Sequence, residues 1–289
     1  MRLSHILRIS SWALSLLTVD FLQAAEPTST PVDPPPPVAH FADPRLEAAV
    51  RHQVLAKRTN SEPLTAGELA TVAFLEAPGR GITNLTGLEH CTGLASASLS
   101  GNALTDLGPL RGLKLLQYLD LATNRIRDLT PLGTLTGLQY LQLEQNQVTD
   151  LTPLAGATNL TSLYLSANRL RLLSPVTNLA RLGTLTVTQN QLNSLAGVER
   201  LPRLHSLSAA RNQIKDITPL SGLHHLNWLD LERNRIREIG PLYVAATNDL
   251  AGRGDWAPFF RIRLKGNPLS SKADKQVTSL RQAGVPVER

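Results

Sequence analysis

Three of the four tyrosines in this chain of 289 residues, Tyr118, Tyr140 and Tyr164, fall 22 and 24 residues apart in similar leucine-rich surroundings. Phenol rings flanked by Asp120, Gln142 and Glu144 offer flat apolar area with hydrogen-bonding groups beside it. That is the chemistry of a protein-binding hot spot, and it also suits stacking against sugar rings. A second set, Trp228, Asp230 and Glu232 followed by Arg261 and Arg263, could make another contact, or its opposite charges could pair across neighbouring strands. Chemistry of a catalytic kind has no such signature. The chain holds no G-x-S-x-G elbow, no phosphate loop and no H-E-x-x-H. His224-His225 lacks carboxylate or Cys partners at ligand spacing, so no metal site, no cofactor and no enzyme activity is expected. The single Cys91 forms no internal disulfide and is read as a small core residue.

What positions the tyrosines is a repeat. Asn102, Asn124, Asn146, Asn168, Asn190, Asn212 and Asn234 stand at a constant interval of 22 residues, and Asn267 resumes the series after an insertion. Five and three residues before each Asn the chain is apolar, as at Leu141 and Leu143, with Ala97 and Ala209 as the small exceptions. Alternation of this kind makes a short strand with one buried face. The Asn amide, with two donors and an acceptor, can satisfy backbone groups where the chain turns away. In five coils a polar residue or Gly precedes Pro, as in Thr130-Pro131, and is expected to cap a short helical turn on the opposite side. The spelling L-x-x-L-x-L-x-x-N-x-L is the leucine-rich repeat, and the expected fold is an α/β solenoid with one parallel sheet. No coil can bury its own leucines, so neighbours must do it.

Positions six, four and two before each Asn then share the open face of the sheet. They comprise Tyr118 and Asp120; Tyr140, Gln142 and Glu144; Tyr164 between Ser162 and Ser166; Trp228, Asp230 and Glu232; and Arg261, Arg263 and Lys265. Strands lie about 4.8 Å apart, so the tyrosines form one patch. Asp106, Asp128, Asp150 and Asp216 recur four residues after Asn and are assigned to the following turn rather than to calcium.

Along the chain, residues 1–25 read as a secretory leader, with basic Arg2 and Arg8, an apolar run Ile9 to Val19 too short to span a bilayer, and Ala24-Ala25 for cleavage. Residues 26–41 form a proline-rich linker. Residues 42–80 are the expected helical front cap, with Asp43-Pro44 opening one helix and a Thr65/Glu68 capping box opening a second that runs into Val72, Phe74 and Leu75. The array spans 81–269, with Arg80 in the Asn slot ahead of it, a weak fifth coil carrying Gly197 instead of Pro, and an insertion at about 243–257. Residues 270–289 close the far end. A net charge of +6 is modest for the length, and nucleic acid is not the expected partner. The expectation is a secreted or envelope-located monomer without a membrane span.

The chain resembles the secreted bacterial leucine-rich-repeat proteins of the internalin-like, 22-residue class. The resemblance runs from about residue 42 to the end. It rests on the Asp43 to Val50 helix, Leu64 to Leu69, Gly81 to Leu88, the D-L-T-P-L coils, Leu264 to Ser270 and the terminal Gly-Val-x-Val. It implies a right-handed superhelix with short helical or 3-10 segments on the convex side and a concave sheet that binds another macromolecule, here an unidentified protein or, as the alternative, an extracellular or cell-wall glycan. It implies no catalysis. Arg253-Gly254-Asp255 matches that family's glycine-rich loop rather than an adhesion signal. Arg80, Leu172 and Gly197 depart from the pattern.

Overall fold

The computed structural model describes residues 38–252 and 259–289. The expected leader, residues 26–37 of the linker, and Arg253-Gly254-Asp255 lie outside the described residues.

Two helical segments lead the fold. α1 (Pro44–Gln53) starts where the Asp43 carboxylate accepts the Arg45 N–H at 2.9 Å. α2 (Ala66–Ala70) starts at a capping box in which Thr65 and Glu68 exchange bonds. α2 ends at Ala70, earlier than its apolar continuation suggested. Phe74–Glu76 is instead the first strand, β1, because Leu75 packs under the sheet while Phe74 and Glu76 face outward. The array therefore begins inside the segment expected to be cap.

Ten strands make one sheet in strict chain order: β1, then β2 (Ser96–Ser98), β3 (Tyr118–Asp120), β4 (Tyr140–Gln142), β5 (Ser162–Tyr164), β6 (Thr184–Thr186), β7 (Ser206–Ser208), β8 (Trp228–Asp230), β9 (Arg261–Arg263) and β10 (Val287–Glu288). Each neighbouring pair is parallel. The register sets Leu119, Leu141, Leu163, Leu185, Leu207 and Leu229 side by side in one buried row. Burying each such leucine contributes about 1.5–3 kcal/mol, and it does so only against the next coil.

The far side of each coil is 3-10 helix, as at Thr130–Thr134 and Thr152–Gly156. Here the expected cap is corrected. Thr130 is the first helical residue and Leu129 the cap, because the tight i→i+3 bond runs from Leu132 N–H to the Leu129 carbonyl. The side-chain oxygen comes instead from two residues upstream, where Asp128 accepts the Thr130 N–H at 2.8 Å. Asp106, Asp150 and Asp216 do the same for Gly108, Thr152 and Thr218.

Coil five is not a degraded copy. Gly197 (φ +108°) and Gly87 (φ +103°) open 3-10 segments Val198–Arg200 and Leu88–His90 in the same way, and Glu199 and Glu89 accept the glycine N–H at 2.7 Å in each. A side chain at Gly197 would also crowd the Leu173 carbonyl at 3.1 Å. The fold thus uses two starts for one turn.

After β8 the extra residues lengthen this segment into a helix, α3 (Gly240–Ala251), and the sheet resumes at β9. α4 (Ser271–Gln282) begins where Ser270 caps the Ala273 N–H, and β10 pairs with β9 to complete the described sheet.

Candidate functional site

The asparagines hold the strands in place from behind. Asn146 donates to the Leu143 carbonyl of its own coil (3.1 Å) and the Leu121 carbonyl of the coil before (2.9 Å), and accepts the Ile126 N–H at 3.0 Å. The six asparagines from Asn124 to Asn234 are buried and repeat this pattern. Asn102 spans the front of the array, reaching the Ala77 carbonyl, and Asn267 the back, reaching Leu231 across the insertion. Each amide therefore ties two coils together, more than the single turn its sequence position suggested. Arg80 occupies the foremost slot, where its own backbone N–H is what Asn102 accepts (3.1 Å). Ahead of it Asp43 does the tying, accepting the Thr83 N–H at 2.8 Å. Burial raises the Asp43 pKa, but the N–H groups of Thr83 and Arg45 and the Thr83 hydroxyl outweigh it and hold the carboxyl below its ordinary value.

On the face so supported, Tyr118 and Tyr140 are direct register partners, and Tyr164 sits one row over, opposite Gln142. The first two rings stack at 4.4 Å between centroids with 11° between planes; the third tilts by 42° at 5.2 Å. The three tyrosines are thus one contiguous cluster on β3, β4 and β5. Burial pushes the Tyr140 phenol well above its ordinary pKa, and the Tyr118 and Tyr164 phenols add to the shift. Tyr118, at 37% exposure, is the open member. Beside the rings, Gln142 accepts the Glu144 N–H (3.1 Å), Asp120 accepts the Ala122 N–H (2.9 Å), and Thr186 donates to Glu144 (3.3 Å). These polar groups are held in place with free acceptor capacity remaining.

The second set behaves differently. Arg263 reaches Asp230 at 3.4 Å, Glu232 at 2.8 Å and Glu288 of β10 at 2.9 Å. Trp228 donates its indole N–H to Ser208 at 3.3 Å, and Arg261, its register partner, is exposed. Here the charges pair across strands.

One residue of the face escaped the sequence reading. Phe74, 64% exposed, is in register with Ser96 and through it with Tyr118. With Arg80 in the Asn slot, the same count backwards puts Leu75 and Ala77 inside and Phe74 and Glu76 outside, so the signal was present. Elsewhere, burial pushes the Cys91 thiol up to about 12, with Glu89 adding to the shift, which fits a core residue.

A family model described as Leucine Rich repeats (2 copies) matches residues 92–134, 116–156 and 136–176. Internalin C2 from Listeria monocytogenes is 35% identical, with a TM-score of 0.67 over 70% of this chain and 89% of that one. The chain belongs to the internalin-like leucine-rich-repeat proteins. A leucine-rich-repeat protein from Leptospira interrogans (23% identity, TM-score 0.61, 72% and 57% of the two chains) shares the fold. So does the plant peptide hormone receptor RGFR1, solved in complex with RGF2 (23%, 0.51, 63% and 34%). No curated protein matches by sequence. The repeat is in general a protein-binding, non-enzymatic scaffold.

Proposed function

We propose that this protein binds another protein through the open face of its sheet, with Tyr118, Tyr140 and Tyr164 as anchors and Phe74 extending the apolar strip. The observation that carries the reading is the tyrosine cluster: three rigid amphipathic rings on adjacent strands of a solenoid whose general use is protein binding. Asp120, Gln142 and Glu144 orient the partner, and the scaffold itself does no chemistry. Contact between the Tyr118 and Tyr140 rings occupies the inner ring faces a sandwiched sugar would need, so protein is favoured over neutral glycan.

The test is a crosslinking pull-down from the envelope and medium of the source cells, with the parent beside a Tyr118→Ala, Tyr140→Ala, Tyr164→Ala variant of equal thermal stability. A protein held by the parent should bind the variant about 100-fold or more weakly, given about 1–2 kcal/mol for each anchor. Equal capture by both would show that the site lies elsewhere. Export by residues 1–25 belongs to the same proposal, and mass spectrometry of the native protein checks it: a chain that retains those residues overturns it.

A further inference from the structure

Behind the asparagines the chain passes along one flank before turning into the 3-10 side, and three positions of this flank are rich in cations, although the next position brings Asp106, Asp128, Asp150, Asp216 and Glu238 beside them. Over the seven regular coils, the residues one before, one after and three after each Asn include nine Arg and Lys and no Asp or Glu, against a net charge of +6 for the whole chain. Backbone bonds hold these residues in rows, since Gln147, Arg169 and Gln191 each donate an N–H at 2.9 Å to the preceding coil, at Ile126, Val148 and Leu170. Arg125, Arg127, Arg169 and Arg171 are all exposed. The ion pairs of the described residues use other cations: Arg51, Lys57, Arg263 and Arg289.

The flank is also shaped. Thr105, Arg125, Arg127, Asp128 and Gln147 line a hollow of about 370 Å³. Thr149, Arg169, Arg171 and Gln191 line a second of about 310 Å³, built from the same positions two coils later. In each, a glutamine accepts the Nε–H of the second arginine, Arg127 to Gln147 at 2.8 Å and Arg171 to Gln191 at 3.4 Å, which fixes that guanidinium while leaving its outer N–H groups free. The two hollows differ at one position. The first is lined by Asp128, already engaged with Thr130, whereas the corresponding residue two coils on is Leu172 and no carboxylate lines the second hollow. With strands about 4.8 Å apart, the pairs recur roughly every 10 Å along the solenoid.

We propose that this flank is a binding surface for a linear anionic polysaccharide, with the Arg125/Arg127 and Arg169/Arg171 pairs each gripping a sulfate or carboxylate. Guanidinium forks match such oxyanions bidentately, while Gln147, Gln191, Thr105 and Thr149 supply amides and hydroxyls for the neutral hydroxyls between them. The three rows contain no aromatic residue on which bases could stack, so single-stranded nucleic acid fits the flank poorly. The site is separate from the tyrosine face and does not depend on it.

The experiment is a binding titration of the full chain with fluorescent heparin, a sulfated polymer, and with polygalacturonate, a carboxylated one, over a range of salt. Exchanging Arg125, Arg127, Arg169 and Arg171 for Gln should weaken binding at least about tenfold and lower the dependence of log Kd on log salt by roughly 2–4. A control exchange of four exposed cations elsewhere, Lys114, Arg200, Arg203 and Lys272 to Gln, should change affinity less than about threefold. Equal loss in both quartets, or no binding of either polymer at low salt, overturns the proposal. Tighter binding of duplex DNA or polyglutamate at matched charge overturns the choice of polysaccharide. If the first quartet melts at a lower temperature than the parent, arginine-directed phenylglyoxal labelling of the parent decides instead: heparin must protect Arg169 and Arg171.

Discussion

Two regions of the sheet, towards its front and at its far end, use the same strand frame for opposite purposes. On β3 to β5 the open positions hold tyrosines that stack on one another and leave Tyr118 open, with acceptors on Asp120 and Glu144 still available. On β8 to β10 the same positions hold Asp230, Glu232 and Glu288, and one guanidinium, Arg263, satisfies all three. A face closed by its own charges has to break them before it meets a partner, whereas a face of stacked rings has little to give up. The difference teaches that exposure alone does not mark a site: what matters is whether the exposed groups are already spoken for within the fold.

The strongest test of that comparison asks whether the scaffold beneath the two regions is equivalent. Asn146 lies under the tyrosines and Asn234 under the charged strands, with matching partners: Asn234 donates to Leu231 at 3.0 Å and Ala209 at 2.9 Å and accepts from Ile214 at 3.1 Å. Replacing either by Ala strands a buried N–H and buried carbonyls. Each should cost about 3 kcal/mol in urea unfolding, and the two values should agree within about 1 kcal/mol. A large inequality would mean that the regions differ in their foundations and not only in their surfaces.

Next in size is the charged end itself. Arg263→Ala leaves Asp230 and Glu232, with side chains only 14% and 18% exposed, facing each other without a cation. Because Arg263 is one-third exposed and water screens part of the interaction, the expected loss is about 2 kcal/mol, less than for a fully buried pair. Urea unfolding at low and high salt measures it, and the gap between parent and variant should narrow as salt rises. An unchanged stability would show that the network contributes nothing, and the contrast with the tyrosine strands would fail.

Much of this was readable from residue types and spacing. The period of 22 places every strand, because a leucine that misses its row faces water, and it puts Tyr118 and Tyr140 in one row. What escaped was set by contacts rather than by period. Phe74 was absorbed into a helix that stops at Ala70, since apolar residues beyond a capping box fit either continuation. Gly197 looked like a loss until its positive φ and the bond from its N–H to Glu199 matched those at Gly87. The tilt of Tyr164 against Tyr140 depends on side-chain rotamers, which no repeat period encodes.

The smallest expected effect lies in the tyrosine cluster and turns on the proton of Tyr140. Its phenol is shifted up by burial first and by its two tyrosine neighbours second, so the folded protein holds that proton more tightly than the unfolded chain does. Below the ordinary tyrosine pKa, near 10, both states are protonated and the stabilisation is fully present. As pH rises through 10 the unfolded chain releases the proton while the folded one keeps it, so stability falls with pH across the interval up to the folded value. Ultraviolet titration should therefore show a tyrosine step well above the ordinary range, and Tyr140→Phe should remove that late step and flatten the alkaline loss of stability. If the parent shows no such late step, the rings are not packed as a cluster in solution, and the tyrosine strands are as loosely held as any exposed surface.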